Sequence, residues 1–210
     1  MLILSPDSPR VAYVLAHGAG AGMRHPFLET IAQLLRDRGV ATLRYEFPYM
    51  EQRKSRPDSP AVCVARVKEA VEHARAEWPG VPLLAGGKSF GGRMTSTAQA
   101  TEPLAGVVGL AFLGFPLHPP GKPSTSRGDH LYQVDVPMLF LQGTRDEFAK
   151  LDLLTQVSES LKPRATLHLI EEGDHSFKVP KKKTGRSAEQ VMAELADTIA
   201  AWSASLAPGR

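Results

Sequence analysis

Five residues constrain this chain more than any others: Gly87-Lys88-Ser89-Phe90-Gly91, standing directly behind the short apolar run Val81 to Ala85. A serine raised on a sharp turn between a strand and a helix needs small neighbours two positions to either side, because side chains there collide with the adjoining elements. Gly87 and Gly91 meet that need. A helix carrying Met94 and Ala98 is expected to follow, which makes the context strand, turn, helix. Alone, the pattern also fits a glycine-rich turn whose serine merely caps the helix. Of two overlapping motifs, the first fails by letter and the second, a dinucleotide site, stays open as an alternative. A phosphate-binding loop ending at Gly87-Lys88-Ser89 needs a glycine where this chain has Pro82, and proline has no N–H to give to a nest of amides. A dinucleotide fingerprint opening at Gly18-Ala19-Gly20 puts its third glycine on Met23, and only Glu46 stands near the acidic position.

Around that turn, short apolar runs alternate with longer stretches of helical period, the pattern of a mostly parallel sheet covered by helices. Strands are expected over Arg10 to Ala16, Val40 to Tyr45, Val81 to Ala85, Gly106 to Phe112, Pro137 to Gln142 and Ala165 to Ile170. Phe27, Ile31, Leu34 and Leu35 mark one helix, Val64, Val67, Val71, Ala74 and Trp78 a second, and Leu151, Leu154, Val157 and Leu161 a third. Val191, Leu195, Ile199 and Trp202 mark the closing helix. The expected architecture is α/β, a doubly wound sheet of about six mainly parallel strands with helices on both faces. A chain of 210 residues sits within the range of a single core, so residues 1–210 are expected to form one domain, frayed over Ala207 to Arg210.

A serine hydroxyl is a weak nucleophile at neutral pH and needs a base, held in the right tautomer by a third group. Gly143-Thr144-Arg145-Asp146 follows one expected strand and Gly173-Asp174-His175 follows the last. Each puts a side chain of the required type at a strand's C-terminal edge, giving Ser89 as nucleophile, Asp146 as acid and His175 as base. Asp135, Asp152 and Asp174 are alternative acids, although Asp174 adjoins His175 and reaches back to its ring with difficulty. His73, His118, His130 and His168 are expected to be satisfied surface histidines. The order Ser, Asp, His differs from that of the chymotrypsin and subtilisin types.

On these motifs, from His17-Gly18 through the serine turn to Gly173-Asp174-His175, nearly the whole chain resembles the α/β-hydrolase family, in particular its compact dienelactone-hydrolase-like members. The resemblance implies a serine hydrolase acting on a small carboxylic ester or thioester through an acyl-enzyme, with no metal and no cofactor. It also implies an oxyanion hole built from the backbone amides of Phe90 and Ala19. A non-catalytic binding or scaffold protein of the same fold is the alternative.

The stretch between Phe115 and Pro137 holds only about twenty residues, too few for an inserted lid domain. Tyr49, Phe115 and Phe177 follow strand ends, as do Phe47, Pro48, Pro116 and Leu117, and are expected either to wall the site or to pack as loop aromatics. Lys88 and Arg93 flank the nucleophile, where they suit an anionic acyl group, the alternative for the lysine being a stem that simply reaches solvent. Arg44 and Glu46 are expected to pair with each other or with neighbours, and His25 to border the Gly18 turn in a packing role.

The net charge of +3 is concentrated in Lys178, Lys181, Lys182, Lys183 and Arg186. No aromatics interleave with them to stack bases, so no nucleic-acid partner is expected. The lone Cys63 forms no disulfide within the chain, and no apolar run is long enough to cross a bilayer. A cytoplasmic monomer or homodimer with no membrane partner is expected.

Overall fold

The computed structural model describes residues 1–206; Ala207 to Arg210, expected to fray, lie outside the described residues. The strands are β1 (Leu2–Leu4), β2 (Val11–Ala16), β3 (Val40–Tyr45), β4 (Leu83–Lys88), β5 (Val107–Leu113), β6 (Met138–Gly143) and β7 (Ala165–Ile170). The helices are α1 (Pro26–Arg36), α2 (Pro48–Glu51), α3 (Pro60–Glu77), α4 (Phe90–Thr101), α5 (Leu151–Ser160), α6 (Lys181–Thr184) and α7 (Ala188–Leu206), with a 3-10 helix over Ser126–Gln133.

The sheet runs β1-β3-β2-β4-β5-β6-β7. Every pairing is parallel except that of β1 with β3. Every residue of β2, β3 and β6 is buried, as both-faced burial of a parallel sheet requires. One face carries a core of Val14, Leu43, Val67, Met94, Phe112 and Phe140 under α3, α4 and α5; the other packs Tyr13, Leu15, Leu84 and Leu141 against α1 and α7. The expected count of about six strands becomes seven, because the edge strand β1 is three residues long and carries no alternation to read.

β3 lies on one side of β2 and β4 on the other, so the chain changes winding direction between β2 and β4. Loops leaving the C-terminal ends of these two strands diverge there and open a crevice. Ala16 is paired with Gly87, which puts the turn after β2 beside the turn after β4. β4 runs through Lys88, beyond the expected end at Ala85, because Gly86 and Gly87 let the backbone stay in the sheet. The stretch after β5 forms no lid: its 3-10 helix folds onto α4, with Ser96 Oγ 2.7 Å from His130 Nε2 and Gln99 donating to Asp135 at 3.0 Å.

Candidate active site

Ser89 sits between β4 and α4 at φ +51° and ψ −118°, a left-handed conformation that costs a β-carbon-bearing residue about 1–3 kcal/mol. The neighbouring glycines are imposed by contact. A Cβ on Gly87 would lie 2.2 Å from the Ala16 carbonyl oxygen, and one on Gly91 2.5 Å from that of His17. Strand, serine and helix can therefore press against β2 only with hydrogen at both positions.

Asp146 and His175 meet because the turns after β6 and β7 touch. Arg145 donates its amide to Gly173 O at 2.9 Å and Thr144 donates to Ile170 O at 3.1 Å. His175 Nδ1 lies 2.7 Å from Asp146 Oδ2, and its Nε2 lies 2.9 Å from Ser89 Oγ. The Asp146 side chain is fully buried, whereas the His175 ring keeps 18% exposure, so one end of the row is dry and the other opens to a cleft. Asp146 Oδ1 accepts the Phe148 amide at 2.8 Å, and the Phe148 ring lies 4.3 Å from that of His175. The other aspartates are engaged elsewhere. Asp174 caps its own turn by accepting the amides of Ser176 and Lys178, Asp152 pairs with Lys150, and Asp135 accepts from Gln99.

Among the described residues, the amides of Ala19 and Phe90 have no protein acceptor. A Cβ on Gly18 would stand 3.8 Å from Ser89 Cβ, so the Gly18 turn faces the serine directly. Buried side chains fix that turn. His17 Nδ1 is 2.8 Å from Gly18 O, its Nε2 accepts the Phe47 amide at 3.1 Å, and Tyr49 Oη donates to Ala19 O at 2.8 Å. Burial holds the His17 imidazole below its ordinary pKa. Arg44 and Glu46 do not pair with one another; both grip the turn at Met23, Arg44 through its carbonyl and Glu46 through its amide.

A cavity of about 550 Å³ opens beside Ser89, walled by the Gly18 turn, His25, Phe27, Phe148, Ser176, Lys88 and Lys178, with no carboxylate in its lining. Among the described residues, Lys88 Nζ is buried without a hydrogen-bond partner, 5.7 Å from the Phe177 ring centroid. Burial pushes its pKa down to about 8, against the pull of Asp146 and Asp174. Phe177 backs the cavity wall by stacking on Phe27 at 5.9 Å. None of the seven residues expected after strand ends lines the cavity itself; they pack against the fold instead. Phe115 is fully buried among Phe112, Phe140 and His130, and Tyr49 packs on Phe47 and Phe90 beneath the Gly18 turn. In each case the chain turns inward after the strand, so the ring enters the core. His118 is also not a surface residue: it is buried, and its Nε2 accepts the Lys150 amide at 2.8 Å, steadying the turn that carries Phe148. No group of three or more His, Cys, Asp or Glu among the described residues is placed to hold a metal ion.

Gln142, fully buried at the end of β6, joins the site without having been singled out in the sequence. Its Nε2 donates to Asp146 Oδ2 and its Oε1 accepts the Phe115 amide at 2.9 Å. The available signal was a glutamine ending the apolar run Met138 to Leu141, four residues before Asp146.

A profile of the alpha/beta hydrolase domain matches residues 9–204. The chain belongs to the α/β-hydrolase family. Solved structures similar to this α/β-hydrolase include a dienelactone hydrolase from Anabaena variabilis, at 18% identity, 98% coverage of this chain and 91% of that one, with a TM-score of 0.75. A lidless α/β serine hydrolase from Xanthomonas campestris aligns at 21% identity over 99% and 89%, TM-score 0.74. An α/β serine hydrolase homologue from Coxiella burnetii aligns at 17% over 95% and 89%, TM-score 0.73. At these identities the likeness is one of fold, and within the described residues of this hydrolase no helix is long and apolar enough to cross a membrane.

Proposed function

We propose that this α/β-hydrolase cleaves a small carboxylic ester or thioester through an acyl-enzyme on Ser89. The observation that carries the proposal is the unbroken row of Ser89, His175 and Asp146 at 2.9 and 2.7 Å, beside two amides without protein acceptors. His175 Nε2 takes the hydroxyl proton as Ser89 Oγ bonds to the acyl carbon, while Asp146 holds the Nδ1–H tautomer and stabilises the imidazolium. The carbonyl electron pair moves onto oxygen, where the amides of Ala19 and Phe90 receive the charge. Collapse expels the alkoxide or thiolate, which takes the proton from His175, and a water molecule then repeats the sequence to release the acid. Every proton is returned, so the cycle needs no metal or cofactor.

The cavity supports an acyl group of modest size, and Lys178 at its wall, with the buried Lys88 ammonium behind it and no carboxylate in the lining, suits a substrate that bears negative charge. The dienelactone hydrolase among the structural neighbours is consistent with small esters. A cytoplasmic monomer or homodimer completes the proposal, in keeping with the single unpaired Cys63.

A fluorophosphonate probe should label wild type at Ser89, and a chromogenic short-chain ester should be turned over. Ser89→Ala should abolish labelling and lower kcat by about four orders of magnitude or more. A folded wild type that neither labels nor turns over any ester would instead favour a non-catalytic binding protein of the same fold.

A further inference from the structure

Asp146 Oδ2 accepts two hydrogen bonds inside the core, one from His175 Nδ1 and one from Gln142 Nε2. Its Oδ1 is occupied by the Phe148 amide. Three donors therefore converge on a fully buried carboxylate, and only one belongs to the base. Gln142 can serve this role only in one orientation, because its Oε1 already accepts the Phe115 amide at 2.9 Å. That bond fixes which end of the side-chain amide faces Asp146. The same contact ties the turn after β5, whose Gly114 lies against Lys88 and His175, to the turn that carries the acid.

We infer that Gln142 is a positioning residue for acyl transfer: it fills the remaining site on Asp146 Oδ2, so that the carboxylate holds His175 in the Nδ1–H tautomer with Nε2 aimed at Ser89. The inference rests on the acyl-transfer mechanism proposed above. Without the Gln142 N–H, the buried Oδ2 has no donor but His175 itself, and only the Phe148 amide on Oδ1 opposes a turn of the carboxylate about its Cβ–Cγ bond away from the line between His175 and Ser89. The cost appears in the rate because misalignment of a base by a fraction of an ångström is expensive in the transition state.

The isosteric Gln142→Glu change separates positioning from simple packing. While neutral, the introduced carboxyl donates O–H to Asp146 and accepts the Phe115 amide, reproducing both native bonds. Once ionised, it confronts Asp146 with a second carboxylate and no donor. Proximity to that carboxylate and burial both raise its pKa above the usual glutamate range. The titratable groups bearing on this amide are Asp146 and His175, with Lys88 acting on Asp146 through its charge.

The rate of fluorophosphonate labelling at Ser89, measured from pH 5 to pH 9, is the first readout. Gln142→Met is expected to label about ten- to a hundredfold more slowly than wild type at every pH. Gln142→Glu is expected to match wild type at the acid end and to lose activity along a new descending limb absent from both wild type and Gln142→Met. Equal, pH-independent losses in the two variants, or wild-type rates in both, would overturn the inference.

The proton resonance of His175 Nδ1–H needs no turnover and is the second readout. It should persist in wild type and in Gln142→Glu at acid pH, and exchange-broaden in Gln142→Met. Its persistence in folded Gln142→Met overturns the positioning role. Failure of wild type to label, with the resonance behaving as expected, overturns the acyl-transfer mechanism alone.

Discussion

Lys88 is the residue whose protonation the fold opposes most visibly: its ammonium has lost water and gained no acceptor. A lysine whose pKa falls from its ordinary value to about 8 on folding binds fewer protons folded than unfolded between those two values. Stability should therefore rise with pH across that window, and the penalty is fully present below pH 8. Lys88→Met is expected to stabilise the protein at pH 7 by up to about 3 kcal/mol and to flatten the rise toward pH 10. Urea unfolding of both proteins at pH 7 and pH 10 checks this; an equal or lower midpoint for Lys88→Met at pH 7 would contradict it. The residues of the row were legible because each is announced by its neighbours, the serine by glycines that contact requires, and Asp146 and His175 by turns at strand ends. Tyr49 and Phe115 were not. Strand position fixes where a loop begins, but only the turn's own dihedrals decide whether the next ring faces the cleft or the core. Gln142 escaped notice because one polar residue in an apolar run reads locally as a strand end, and its partners come from the turns after β5 and β6.

Elements were easier to read where burial on two faces leaves a continuous apolar run. β3 and β7 occupy the expected residues, and α1, α3 and α7 carry the expected apolar positions inward, as does α5 except at Leu151, which joins neither core while Leu153 packs on one. β1, α2, α6 and the 3-10 helix were not anticipated. Each is short or lacks a sustained apolar period, so its conformation is set by what it packs against and not by its own pattern. The junction of β2, β4 and α4 is the least forgiving part of the frame. At Gly87, where φ is +143°, an added methyl would overlap the Ala16 backbone, which cannot move without breaking the β2–β4 pairing. Gly87→Ala is expected to cost about 3 kcal/mol or more. Gly20→Ala, whose added Cβ meets nothing within 4 Å, should stay within about 0.5 kcal/mol of wild type. Denaturant titration of the two variants side by side tests whether contact, and not glycine content as such, dictates the motif.

At the scale of the whole molecule, the two cores are separated only by the sheet whose side chains build both. Removing packing on one face must loosen strands that the other face depends on, so the described residues should unfold as one unit. The two tryptophans make this measurable: Trp78 belongs to the face under α3, and Trp202 packs with the opposite face on α7. Single-tryptophan variants, Trp202→Phe and Trp78→Phe, should give fluorescence transitions that each coincide with that variant's own loss of helical circular dichroism in urea. Introducing Phe140→Ala on the first face, or Leu195→Ala on the second, should move both probes together by about 2–5 kcal/mol. A probe that stayed in place while its counterpart shifted would mean that the faces melt separately. The site at the C-terminal ends of β2 and β4 would then rest on two independently stable halves, and mutations beneath α7 would leave Ser89 reactivity untouched. Under one cooperative transition, the same mutations reach the site through the sheet, and Ser89 labelling should fall in step with the unfolded fraction reported by either tryptophan.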